Sequence, residues 1–247
     1  MRLTVLGGCG AWPDAGQACS GFLVEHDGFR LLLDLGYATV PRLLRWAGAE
    51  TIDAVFVSHR HPDHCADVSA LLRARALRDD PPGPLPLFTL PGALDAVLAL
   101  DRPGMLADAY VVREFEAGDQ LAIGPFRART RLLPHSVPNA GIRLVAESRV
   151  LAYTGDTGPS PEVVELARGA DLLVAEASYV DRVPDDSARH LTSTGQAGRQ
   201  AAEAGVGHLM LTHLMPGTDP AAAKAAAGDG YDGAIDVAIT DLVRELS

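Results

Sequence analysis

Cysteine is too scarce and scattered in this 247-residue chain to shape it, since Cys9, Cys19 and Cys65 form no even set and no Cys-x-x-Cys pair. That excludes a disulfide framework and a thiolate metal knuckle, leaving free reduced thiols. Long apolar runs are missing too. No stretch approaches the roughly 18 residues that a bilayer span requires. The N-terminus MRLTVLGGCG lacks the basic, apolar and cleavage segments of a secretory signal. A cytoplasmic protein without membrane contact is expected. Positive charge is in deficit: 21 Lys and Arg against 32 Asp and Glu give a net charge of −11. Such a surface repels polyanions and disfavours long nucleic acid as a partner. Aromatics are few at 5%, whereas 47% hydrophobic and 21% charged residues suit one packed core and argue against disorder. One domain over residues 1–247 is expected.

What is present reads as alternating strands and helices. Apolar runs flank Asp27-Gly28 in FLVEHDGFRLLLDLG, a strong hairpin signal. The runs DAVFVSH, RVLAYTGD, DLLVAEAS and GHLMLTH show little alternation, as strands buried on both faces do. Each ends on a residue able to bind metal or move a proton: His59, Asp156, Glu176 and His213. Helical periodicity follows in DVSALLRARAL. It recurs in SPEVVELARGA, with Ser160 as N-cap and Pro161 at the first helical position, and in TSTGQAGRQAAEAG, which closes at Gly205. The Pro-rich DDPPGPLPLFTLP reads as a loop leading into a short strand, and DPAAAKAAAGDG as a short surface helix. The tail YDGAIDVAITDLVREL fits strand or helix equally by pattern. Alternation throughout implies an α/β architecture with helices outside.

The densest chemistry lies in SHRHPDH. There His59, His61, Asp63 and His64 could converge if the chain turns sharply after the strand, a turn that Pro62 favours. Imidazole and carboxylate suit zinc, with manganese or iron as alternatives. One catalytic zinc usually takes three protein ligands, so four candidates this close suggest a second ion. His135, Asp156 and His213 are available as further ligands.

The order His-x-His-x-Asp-His, His, Asp, His, each at a strand end, resembles the metallo-β-lactamase superfamily over nearly the full chain. The resemblance implies an αββα sandwich: two mixed β-sheets packed face to face, with helices on both outer sides. It also implies two divalent metal ions. His59, His61 and His135 would hold one, Asp63, His64 and His213 the other, and Asp156 would bridge them. Ionised Asp63 and Asp156 would leave the centre locally positive and attractive to an anionic substrate despite the acidic surface. Asp34 in LLLDLG matches an Asp of the superfamily that would hydrogen-bond the cluster loop. His26, at the hairpin tip, and His208, at a strand start, read as incidental.

Glu176 in VAEASY and His190, 23 residues before His213, resemble a pair in the ribonuclease Z branch. The resemblance implies His190 as general acid for an alkoxide leaving group, with Glu176 as its orienting carboxylate. Asp63 would be a ligand that also orients or deprotonates the nucleophile. The protruding arm with which that branch grips tRNA has no room here, because His135 and Asp156 are 21 residues apart. No Lys/Arg cluster is expected to replace the arm. The chain is more similar to short bacterial relatives that include cyclic-nucleotide phosphodiesterases. The expected function is hydrolysis of a small phosphodiester, with a 3′,5′-cyclic nucleotide giving a 5′-nucleotide. A homodimer is an expectation from the family likeness alone. Alternatives are a tRNA 3′-endonuclease, a lactonase or thioesterase, and a non-catalytic metal-binding module.

Overall fold

A computed structural model describes residues 1–246. Among the described residues, fourteen strands form two sheets of seven. The first sheet starts with β1 (Arg2–Gly7), β2 (Gly21–His26) and β3 (Phe29–Leu35), then β4 (Ala54–Val57), β5 (Leu85–Thr89) and β6 (Tyr110–Glu114). The second holds β7 (Gln120–Ile123), β8 (Phe126–Leu133), β9 (Asn139–Ala146), β10 (Arg149–Tyr153), β11 (Leu172–Glu176), β12 (His208–Thr212) and β13 (Ala234–Val237). The last strand, β14 (Val243–Glu245), returns to the first sheet beside β1. Both sheets are mixed. In each, antiparallel meander strands give way to parallel ones: β3 to β6 in the first, β10 to β13 in the second.

The β2–β3 hairpin turns at Asp27 (φ 48) and Gly28 (φ 80), the paired positive φ values that a two-residue turn needs to follow the twist of its strands. The tail that was ambiguous by pattern supplies two short strands. Helices α1 (Thr39–Leu43), α3 (Val68–Ala76) and α4 (Asp95–Leu98) cover the first sheet. Helices α5 (Pro161–Ala167), α6 (Thr194–Ala204) and α7 (Pro220–Gly228) cover the second. Ser160 caps α5 through Glu162 N, and Ser193 with Gln196 forms a capping box on α6, which ends at Gly205 in the left-handed region.

Three apolar layers result. Phe22, Leu33 and Phe56 of the first sheet meet Phe126, Ile142 and Tyr153 of the second in the central core. Val55 and Leu87 face Leu71 and Leu72 of α3, while Leu173 and Leu211 face Val163, Ala197 and Ala223 of the other helices. The continuous apolar runs follow directly: Val55, Phe56 and Val57 alternate between inner and outer cores, so both faces of β4 are buried. This is the αββα sandwich. Among the described residues, no helix is long and apolar enough to cross a membrane.

Candidate metal centre

The parallel strands deliver their C-terminal ends to one edge of the sandwich, where open α/β sheets place their sites. His59 follows β4, Asp156 follows β10, Glu176 ends β11 and His213 follows β12. After β4 the chain turns into a single helical turn, α2 (Pro62–Cys65), with His61 extended before it and Pro62 at its first position. That turn aims Asp63 and His64 back toward His59. His135 arrives from the end of β8.

The candidate ligands converge as two groups sharing one residue. His59, His61, His135 and Asp156 form the first, and Asp63, His64, Asp156 and His213 the second; within each group the ligand atoms lie within 4.8 Å of one another. Asp156 reaches both, with Oδ1 3.1 Å from His64 Nε2 and Oδ2 3.2 Å from His213 Nε2 and 3.7 Å from His135 Nε2.

The surroundings fix which imidazole nitrogen carries the proton. Asp34 is a buried carboxylate that accepts from Ser58 N (2.7 Å), Ser58 Oγ (2.7 Å), His64 Nδ1 (2.6 Å) and Tyr153 Oη (2.6 Å). The Ser58 hydroxyl proton is thus committed to Asp34, so Ser58 Oγ accepts from His59 Nδ1 at 3.0 Å. On the other sheet, Ser178 Oγ donates to Glu176 and accepts from His213 Nδ1 at 2.9 Å. His135 Nδ1 donates to the His190 carbonyl at 2.9 Å. Four histidines are therefore held with bare Nε2 lone pairs pointing inward.

Inward they meet more lone pairs. His59 Nε2 and His135 Nε2 lie 3.0 and 3.1 Å from the same atom, His61 Nδ1, which can carry one proton at most. His64 Nε2 and Asp156 Oδ1 are buried without a hydrogen-bond partner, and His213 Nε2 faces Asp63 Oδ2 at 3.1 Å. Divalent cations fit this donor set. Without them, protons on His64 and His213 would relieve the second group. Burial opposes such protons, but the Asp156 charge prevails and raises both pKa values. Burial, then neighbouring imidazoles, lowers His59 and His61, and burial lowers His135. Burial alone would raise Asp63 and Asp156, yet the histidines facing them hold both carboxyls below the usual range.

Backbone geometry serves the same end. Asp34 and His213 sit at φ 56 and φ 60, and Ala11 N donates to Asp63 Oδ2 at 2.9 Å. Asn139 Nδ2 donates to the carbonyls of Thr154 and Asp156, pinning the loop that carries the shared carboxylate. Gly155 in that loop has φ 60, and a Cβ there would stand 2.4 Å from Asn139 Oδ1. All three cysteines are free and buried. Burial first, then nearby carboxylates, pushes Cys19 and Cys65 up to about 12, so they remain thiols.

One expected contact is not made. Glu176 accepts from Ser178 N, Ser178 Oγ and Thr192 N (2.6 Å), and none of its hydrogen bonds or ion pairs among the described residues reaches the His190 ring. The carboxylate is consumed by its own strand end and by the backbone two residues past His190. It therefore fixes the His213 tautomer through Ser178 and holds the segment carrying His190, without a hydrogen bond to that imidazole. The His190 ring stands beside His135, centroids 6.5 Å apart, with Nδ1 buried and unpartnered. Burial pushes Glu176 up to about 8, against the opposing pull of His213. Sequence reasoning also missed Ser58, Ser178, Asn139 and Tyr153. The only local signal was a hydroxyl beside a ligand or acid at a strand end. His208 is not idle, since its Nε2 meets Asp236 Oδ2 at 2.7 Å, away from the metal groups.

A family model described as a beta-lactamase superfamily domain matches residues 8–214, the stretch that carries every candidate ligand. The chain belongs to this superfamily. Among similar proteins, the probable metallo-hydrolase YhfI of Bacillus subtilis (strain 168) is 32% identical over 218 residues, with 87% of each chain covered. Ribonuclease Z of Kineococcus radiotolerans is 32% identical over 282 residues, covering 92% of this chain and 88% of that one. The crystal structure of YhfI matches with TM-score 0.90 at 29% identity and covers 99% of both chains. Human tRNase Z, short form, matches with TM-score 0.82 over 100% of both chains, and at 22% identity shows the shared fold alone. As a member of the beta-lactamase superfamily with these relatives, the chain is a metal-dependent hydrolase.

Proposed function

We propose that this hydrolase cleaves a small phosphodiester at a dinuclear centre, with a 3′,5′-cyclic nucleotide converted to the 5′-nucleotide as the leading reaction. The observation that carries the reading is the shared Asp156, which belongs to both ligand groups while inward lone pairs surround it. His59, His61 and His135 would hold one ion, and Asp63, His64 and His213 the other. Zinc suits these donors best, with manganese or iron as alternatives. Two such ions would lower the pKa of a bound water and polarise a phosphoryl oxygen.

The remaining steps belong to the chain. Asp63 Oδ2 is held by Ala11 N and would be in place to orient or deprotonate the attacking water. His190, beside His135 and free at Nδ1, supplies the proton to the departing ribose oxygen. Glu176 acts as a positioning residue for His213 and for the His190 segment. Two features favour a small substrate. The interval between His135 and Asp156 contains the β9–β10 hairpin and no protruding arm, and the chain carries a net charge of −11.

The full chain loaded with zinc, and separately with manganese, should hydrolyse bis(p-nitrophenyl) phosphate and release 5′-AMP from cyclic AMP. Inactivity on both substrates with both metals would refute the reading. A second reading, tRNA 3′-end cleavage, is favoured by the 32% identity to a ribonuclease Z. Cleavage of precursor tRNA at low salt, with no turnover of cyclic AMP, would establish it instead.

A further inference from the structure

Away from the metal centre, the outer face of the second sheet carries a concentration of arginine at odds with the acidic chain. Strand β8 reads Phe-Arg-Ala-Arg-Thr-Arg, so Arg127, Arg129 and Arg131 share its outward face while Phe126 and Ala128 enter the central core. Across the ladder, Arg129 is paired directly with Arg143 of β9. Like charges set opposite one another in a sheet are destabilising, so this pairing is a cost that packing does not explain. The arginines alternate along one strand and recur on the next, a pattern that only the register assembles.

These four arginines, with Arg168 just past α5 and Gln120 on the edge strand β7, line an open groove of about 410 Å³. Two of the arginines are already matched, Arg131 with Glu162 and Arg168 with Glu165, whose carboxylate also lines the groove. Arg127, Arg129 and Arg143 have no ion pair among the described residues. Arg143 is half-buried and held by its Nη1 on the Leu166 carbonyl at 3.1 Å, so its guanidinium is fixed in the groove. Alternate residues on a strand are about 6.7 Å apart, which sets the Arg127 and Arg129 side chains at neighbouring stations. Guanidinium forks at that spacing suit a ligand with several phosphoryl groups, since each fork takes two phosphate oxygens.

We propose that this groove is a second binding site, which takes the oligophosphate group of a small ligand of the pyrophosphate or nucleoside polyphosphate class. The patch is bounded at α5 by Glu162 and Glu165, on a chain whose net charge of −11 disfavours polyanions in general. A short, highly charged ligand fits those limits better than a long nucleic-acid backbone, which the net negative charge disfavours. The site is separate from the hydrolytic centre. Arg129 lies six residues before His135, about 20 Å along an extended chain.

The test compares the full chain, as purified, with its R127Q, R129Q and R127Q/R129Q variants. Inorganic pyrophosphate, ATP and a short single-stranded oligoribonucleotide are the probes, read by titration calorimetry and thermal shift at two salt concentrations. Wild type should bind pyrophosphate or ATP at one saturable site, weakened by salt, and each glutamine variant should bind about tenfold or more weakly. Ligand-free R129Q should melt no lower than wild type, because it removes the Arg129–Arg143 repulsion. Hydrolysis of bis(p-nitrophenyl) phosphate should be unchanged in the variants, which keeps their fold and metal centre under control. Absence of saturable binding of pyrophosphate and ATP would overturn the proposal. So would equal binding by wild type and the double variant, which would put the ligand at the metal centre. Binding of the oligoribonucleotide alone, lost in the same variants, would replace it with a nucleic-acid contact surface.

Discussion

Replacing Asp34 with asparagine removes one negative charge and changes almost nothing else in shape. The residue sits at φ 56, a region that asparagine adopts with little strain, so the backbone should not confound the result. The native carboxylate takes four donors: Oδ1 accepts from Ser58 N, and Oδ2 from Ser58 Oγ, His64 Nδ1 and Tyr153 Oη. An amide offers one oxygen. In its better orientation that oxygen keeps the three Oδ2 partners, and the new NH2 group is forced against the Ser58 N–H. Two buried donor groups are stranded, the Ser58 N–H and the amide NH2, at about 1–3 kcal/mol each. A chain of this size loses about 2–4 °C in Tm per kcal/mol. The larger effect should fall on metal binding. His64 would donate to a neutral oxygen, and the Ser58 hydroxyl that sets the His59 tautomer would be held by that same neutral oxygen rather than by a carboxylate. Loss of such outer partners typically weakens metal affinity by about 10–100-fold. Competition of wild type and D34N against a chromophoric zinc chelator, with both stoichiometry and affinity read, checks this. Two zinc ions bound with unchanged affinity by a folded D34N would refute the tautomer argument, because nothing outside the site would then be setting the lone pairs.

Three other outcomes follow from the same structure. His190→Gln should lower turnover by about 10²–10⁴-fold for substrates that expel an alkoxide, and far less for bis(p-nitrophenyl) phosphate, whose leaving group needs no proton; parallel rate measurements separate the two. Glu176→Gln and Ser178→Ala should both weaken zinc affinity, by about 10–100-fold, since both act on His213 Nδ1; a Glu176→Gln variant that instead copied the leaving-group dependence of His190→Gln would restore the direct pairing. Asp236 is buried in part, which raises its pKa, but the Arg244 hydrogen bond and the Arg244 and His208 charges outweigh this and lower it. Its stabilisation is therefore present above the unfolded carboxylate pKa and lost as pH falls through the folded value. Asp236→Asn should flatten the acid limb of a Tm-against-pH curve below about pH 4.

The sequence disclosed the scaffold of this centre well because the features concerned are local. An uninterrupted apolar run must be buried on both sides, Asp27-Gly28 must turn, and Ser160-Pro161 must start a helix. His59, His61, Asp63 and His64 were legible for the same reason, lying within one turn after a strand. The pairing of distant polar groups was not. Glu176 and His190 resemble a pair of the ribonuclease Z branch, but whether a carboxylate meets an imidazole or a backbone N–H depends on ångström-scale placement of the 190–192 segment. Ser58 and Ser178 were invisible because a serine has no pattern of its own; each gained a role only from the carboxylate that claims its proton. The Arg129–Arg143 pairing required a strand register that no periodicity encodes.

The two serine relays have a mechanical consequence. Asp34, Ser58 and His59 belong to the first half of the chain, and Glu176, Ser178 and His213 to the second. Each ligand group draws from both halves: His59 and His61 against His135, and Asp63 and His64 against His213. Ions held there would rivet the two sheets together at one edge, adding to the few polar links such as Tyr153–Asp34 and Arg244–Asp236, while most of the packing between them is non-directional hydrocarbon. Stripping the metal should therefore loosen the sandwich like an opened hinge. Backbone amide exchange should rise first around residues 58–64 and 154–157 and fade toward the far hairpin tips.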